Sequence, residues 1–420
     1  MPPAPPSQSA LPPKGLPVAA LRLVAALGLA TLVLAGLGLA FRSRQPPVPA
    51  GHADATPPRH LKGNPGPWGE LEYIPILLET PDEFLSIPPA NADLPAWTFR
   101  NYSVSGLAEL FNAADVSPQE REWLLDQRNW RPVTNGFALS PPPEMLLGIN
   151  RATRERIYTA LAECGGNPLQ EMPLSFQRDG LNDWFYKSGL SVTTIALTKS
   201  LLYRRGDAWC LSDWPVLLRH TESPAERRRL LKTTSRQASL MPRLRVTPAT
   251  DVGQLTQYWG RGGRLKDIRP LLQSLALVSD GVTMDIVHLL PRVIRSRIYT
   301  YPHPSPPDGS PLPNAFWTSM NFFANERPDD RFQDIGHMRR GLAEDFYPVE
   351  EDYLLGDVLL LTKPDGMPLH AAVFVADDVV LTKHGIHLGQ PWIFTKMNAL
   401  VASYPSTVPL KLRGYRRKDL

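Results

Sequence analysis

Between Gly356 and Gly385 the chain reads GDVLLLTKPDGMPLHAAVFVADDVVLTKHG. Three apolar runs are joined by KPDGMP and by the pair Asp377-Asp378. Links that short join only antiparallel neighbours, because a parallel crossover needs a dozen residues or more. The segments 356–362, 370–377 and 379–385 are therefore expected to form an antiparallel meander. His370 opens its central strand and His384 stands near the end of the third.

Upstream, LPNAFWTSMNFF (312–323) opens with Pro and small residues and continues as an amphipathic, aromatic run. A helix starting near Ala315 is expected. The order of parts is a helix start, then Gly356-Asp357 leading a strand, then His370, then His384 fourteen positions on (384 − 370). It resembles the NlpC-like branch of the papain-like cysteine hydrolases, which cut peptide or amide bonds in bacterial cell walls. The resemblance covers about residues 300–420. It implies a papain-like fold with a Cys at the helix start, a His base and a third residue that orients it. The matching positions are Ala315, His370 and His384. Tyr301 falls where the family often places a Tyr beside the oxyanion.

The family's chemistry explains those residue types. A helix N-terminus favours thiolate, an adjacent imidazole completes the activation, and a third group fixes the imidazole tautomer. Ala315 carries no nucleophile. Thr318 and Ser319 lie about 5 Å further along the helix and lack a thiol's ready ionisation. Ser310 is on a loop, and Cys164 and Cys210 lie in the preceding region. The resemblance thus implies a hydrolase frame without its acyl-transfer step, acting as a binding or scaffolding module for cell-wall peptide or an envelope protein. The alternatives are an active amidase or endopeptidase with a non-standard nucleophile, or a structural envelope protein without a cleft; if no such site exists, His370 is a satisfied strand histidine. His384 and His387 are three apart, but no HExxH occurs, so no metal is expected. No cofactor is expected either.

The N-terminus is a separate matter. Pro makes up 45 of 420 residues, and twelve of those fall in the first 60. Within that stretch Leu23–Phe41 is nineteen residues without a charge. As a helix it would be about 28 Å long, close to a bilayer's hydrocarbon core. A transmembrane anchor is expected, with a cleaved signal peptide as the alternative. Flanking positive charge barely sets the orientation, with Lys14 and Arg22 before the run and Arg42 and Arg44 after it. The envelope-type C-terminal resemblance places the body outside the cytoplasm of a single-pass bacterial membrane protein.

The rest divides as follows. Residues 1–22 are a Pro-rich segment, 23–41 the anchor and 42–65 a Pro-rich tether. Residues 66–300 read as a mostly helical α+β region, and 301–420 as the NlpC-like domain. The expected fold class is accordingly α+β. Thr80, Ser117 and Ser223 each open a capping box with Pro next and Glu three residues on. Helices are expected over 151–163, 193–203, 252–259 and 268–277, and strands over 243–246 and 282–290. YWGRGGRL (258–265) has glycines and arginines in a phosphate-binding style, but it lacks the full P-loop pattern and is expected as a plain loop between helices. Net charge is +4. Stretches such as ERRRLLK suit a solvated face, and with a membrane span no nucleic acid partner is expected. Two cysteines rule out a disulfide framework and leave one bridge or two free thiols.

Overall fold

Strand Glu70–Leu78 pairs antiparallel with Gln237–Val246, from Glu70–Arg245 at one end to Leu78–Gln237 at the other. In this computed structural model, which describes residues 60–420 apart from 86, 88, 90–93, 178–180, 207, 305–308, 310, 311, 325, 326 and 405–407, that pairing organises the chain. Because Leu78 and Gln237 are partners, residues 79–236 leave and return at one end of the ribbon. Leu61–Lys62 and Val282–Asp285 complete a four-stranded sheet on its two edges.

The excursion has cores of its own. The helix Arg151–Cys164 carries Ile157, Tyr158 and Leu161 into one cluster with Trp97, Phe99 and Phe111. A second cluster gathers Phe176, Trp184, Leu202 and Leu217. Two three-stranded antiparallel sheets back these clusters. Arg154 is buried and donates from Nε to Asp213 at 3.0 Å, while the Tyr158 hydroxyl donates to the same carboxylate at 2.7 Å. Cys164 and Cys210 are both free thiols.

The last part is a six-stranded antiparallel sheet. Its order is Phe346–Val349, Lys411–Arg417, Val358–Thr362, Pro368–Ala376, Val379–Lys383, Trp392–Lys396. The last of these strands is not an open edge. Ile298 bridges to Trp392, Tyr299 donates its N–H to the Trp392 carbonyl at 2.9 Å, and the Ser239 hydroxyl accepts the Phe394 N–H at 3.1 Å. One apolar cluster therefore runs from Leu71, Leu244 and Trp259 to Trp317, Val375 and Phe394.

Local sequence signals fare unevenly. Ser117 makes the full capping box with Glu120. Ser223 caps the Glu226 N–H, but the Glu226 carboxylate goes instead to Ser191 and Thr194. Thr80 donates its hydroxyl to the Ser235 carbonyl and caps nothing in the single 3-10 turn Asp82–Phe84. Residues 282–290 split into the strand Val282–Asp285 and a 3-10 turn over Ile286–Leu289, because Asp285 caps the Val287 N–H. The GRGG stretch is a turn between the helices Val252–Trp259 and Leu265–Ala276.

The expected fold class needs correction. Among the described residues the architecture is mixed α+β with antiparallel sheets, rather than a mostly helical middle followed by a separate papain-like domain. Among the described residues no helix is long and apolar enough to cross a membrane. Leu23–Phe41 lies outside the described residues, as do 1–22 and the first part of the tether. The middle region carries three antiparallel sheets. All described residues belong to one compact unit, and no break falls near residue 300, since the shared core spans it. The end of the expected tether is part of the fold: Gly63 donates to the Leu71 carbonyl, and Asn64 bonds Asp377.

Candidate functional site

Ala315 is the first residue of the helix Ala315–Met320, and the Asn314 side chain caps that helix at the Trp317 N–H. All six residues of the helix are buried. Which way they face follows from the strand Pro368–Ala376, whose side chains alternate between two faces. On one face Ala371 packs with Phe316 and Met320, and Val373 and Val375 pack with Trp317. On the other, Ala372 and Phe374 pack with Leu359, Val380, Leu400 and Tyr404. His370 shares this second face. The sheet therefore stands between the Ala315 helix and the His370 imidazole, and the two are not brought together.

His370 and His384 are brought together. Their rings stack with centroids 5.1 Å apart and planes 14° from parallel. The Tyr404 hydroxyl lies 2.8 Å from His370 Nδ1 and 3.0 Å from His384 Nδ1. Thr382 Oγ1 lies 2.7 Å from His370 Nε2. Satisfying every group fixes the direction of this chain. Thr382 donates to the Ala371 carbonyl at 3.1 Å, so its oxygen accepts from His370 Nε2–H. A neutral His370 then offers Nδ1 as an acceptor to the Tyr404 O–H. The Tyr404 oxygen accepts in turn from His384 Nδ1–H.

Electrostatics agree with neutral rings. Burial first, and then the neighbouring His384, holds His370 well below the usual imidazole range. Burial and then Lys383 bring His384 down to about 4. Lys383 itself is buried, its ammonium donating to the Gly385 carbonyl at 2.8 Å, and burial lowers it to about 8. With both ring nitrogens engaged, His370 has no lone pair left to take a proton from a nucleophile. Both of its nitrogens are hydrogen-bonded to side chains of the fold.

The other expected positions have structural work. Gly356 has φ +93°, and a Cβ there would collide with the Phe323 ring. Asp357 is buried, accepts the Leu354 N–H and takes a two-pronged grip from Arg416 at 2.9 and 2.7 Å. Tyr301 packs edge-on against Phe84 at 6.2 Å and joins no contact of the histidine pair. Thr318 donates to the Asn314 carbonyl and accepts from the Trp392 indole at 3.1 Å. The Ser319 hydroxyl is buried without a hydrogen-bond partner among the described residues, hence without a base. Ser310 lies outside the described residues. Burial pushes the Cys210 thiol up to about 11 and raises Cys164 too, the opposite of activation. Among the described residues no cluster of His, Cys, Asp or Glu could hold a metal.

Sequence reasoning missed Thr382 and Tyr404. Thr382 had a signal: it stands two positions before His384, on the same face of the strand. Tyr404 had none, because it reaches the pair from the turn after the helix Met397–Ala402. Comparison with known proteins returns no match: no family model, no curated protein and no solved structure matches the chain.

Proposed function

We propose that this chain is a non-hydrolytic envelope module that binds or scaffolds cell-wall peptide or a protein partner. The observation that carries the non-hydrolytic part is the hydrogen-bonding of His370. Both its nitrogens are occupied, by Thr382 and Tyr404. Ala315 offers a methyl group behind the sheet, and neither Thr318 nor Ser319 has a base beside it. The wall-peptide part rests on the sequence resemblance of residues 300–420 alone. The test is made on the full chain with wall peptides. Retention on insoluble wall material, with no amine released from the peptides, is the expected result. Steady amine release that His370→Ala abolishes would overturn the reading.

A further inference from the structure

Where the helix Ala315–Met320 ends, the chain turns at Asn321 and a groove opens. Its walls are that turn, the segment 327–332, the junction between the helix Ile335–Asp345 and the strand Phe346–Val349, and residues 417–419. Its volume is about 410 Å³, within the range of small-molecule sites. Met320, Phe332 and Phe346 give it an apolar floor, and three acidic and three basic side chains form its rim. Most of the rim is internally balanced. Asp329 pairs with Arg331 at 2.7 Å and Arg417 with Asp419 at 2.7 Å, while the Lys418 ammonium donates to the Glu344 carbonyl at 2.6 Å. The Arg327 and Asp345 side chains differ in having no such bond. Each lines the groove, and neither side chain has a hydrogen-bond or ion-pair partner among the described residues.

One unpartnered cation and one unpartnered anion over an apolar floor call for a ligand of the same pattern. We propose that this groove binds a short apolar peptide with both ends free, its carboxylate at Arg327, its ammonium at Asp345 and its side chains on Met320, Phe332 and Phe346. A cation-only or anion-only ligand would leave one rim charge unanswered. A blocked peptide would leave both unanswered, and charge-assisted hydrogen bonds are the stronger kind. The inference gives the binding-module reading a site and rests on that reading for its biological sense, but its geometry stands apart from the histidine pair.

The probe is leucyl-leucine, titrated calorimetrically into the full chain, beside its N-acetyl and C-terminal amide forms. Saturable binding with a Kd on the order of 1 mM is expected, as suits a small ligand on an open groove. Blocking the amine, blocking the carboxylate, Arg327→Ala and Asp345→Asn should each weaken it about tenfold. The acetylated form should lose nothing further in Asp345→Asn, nor the amide form in Arg327→Ala, because each pair meets at one contact. Both variants are exposed rim positions, and an unchanged circular dichroism spectrum checks their fold. Equal binding of the blocked peptide, or no saturation by about 10 mM, would overturn the proposal. Retention on wall material without leucyl-leucine binding would sink the groove and leave the module reading standing. Hydrolysis of wall peptides alongside saturable, charge-dependent leucyl-leucine binding would do the reverse.

Discussion

His370 and His384 face each other across neighbouring antiparallel strands and share one hydroxyl, that of Tyr404. The hydroxyl donates to one ring and accepts from the other, so its removal strands two imidazole nitrogens at once. An unsatisfied buried polar atom costs about 1–3 kcal/mol. Tyr404→Phe should therefore lower stability by about 2–4 kcal/mol, with a shifted urea midpoint and an unchanged slope. A midpoint equal to that of the native chain would mean that the hydroxyl does not bridge the pair.

The same pair makes the fold acid-sensitive. Burial lowers both imidazoles from the ordinary 6.5, His384 to about 4. Below pH 6.5 the unfolded chain binds protons that the folded chain refuses, so stability falls as pH falls. The contribution is fully present above about pH 6.5. It is lost on the way down to about 4 for His384, at up to about 1.4 kcal/mol per pH unit for each ring. Lys383 is the charged neighbour on the strand, and Tyr404, raised by burial, stays neutral throughout. Urea midpoints measured from pH 7.5 to 4.5 should drop, and the drop should be shallower in His384→Gln. A flat profile would contradict neutral, buried rings.

Asp377 ties the start of the fold to its end. It sits at φ +58° in the two-residue turn and accepts from the Tyr73 hydroxyl at 2.9 Å and the Asn64 amide at 2.8 Å. Lys396 stands 3.6 Å away. Burial works to raise this carboxyl, but the bonds from Asn64 and Tyr73 override it and the net shift is downward. Asp377→Ala leaves those donors unanswered and should cost about 2–4 kcal/mol. Asp377→Asn keeps an acceptor and tolerates the left-handed turn, so it should cost about 1 kcal/mol. Equal losses in chemical denaturation would show that the turn, rather than the carboxylate, matters.

What is legible in the sequence is local. Apolar runs and short links mark the meander from Val358 to Lys383, and Ser117 and Ser223 stand as caps where polar residues precede helical runs. The long-range pairings are not legible. Nothing in residues 70–78 announces a partner at 237–246, so from sequence the excursion over 79–236 reads as part of a continuous middle region. The histidine reading fails for a related reason. A His at the head of a strand looks the same whether it faces a helix or a turn. Strand parity puts His370 opposite Ala371, but only the packing of Phe316 on Ala371 decides which face carries the helix.

That parity decides the outcome of Ala315→Cys. In a papain-like site a thiol at this position would meet an imidazole, and activity could return. Here Ala315 begins a buried helix whose side chains pack on the Ala371 face, while His370 bonds Thr382 and Tyr404 on the other. The new thiol would have no base to take its proton, and burial would raise its pKa rather than lower it. Ala315→Cys should therefore be inert toward wall peptides, as is expected of the native chain. It should react with iodoacetamide no faster than an ordinary buried cysteine, with a rate that climbs only above about pH 8.5. Adding Tyr404→Phe to release His370 Nδ1 should not change this, since the sheet still separates the groups. Rapid alkylation of the introduced thiol at about pH 6, or a turnover that His370→Ala removes, would place the imidazole on the helix side and reverse the assignment of faces.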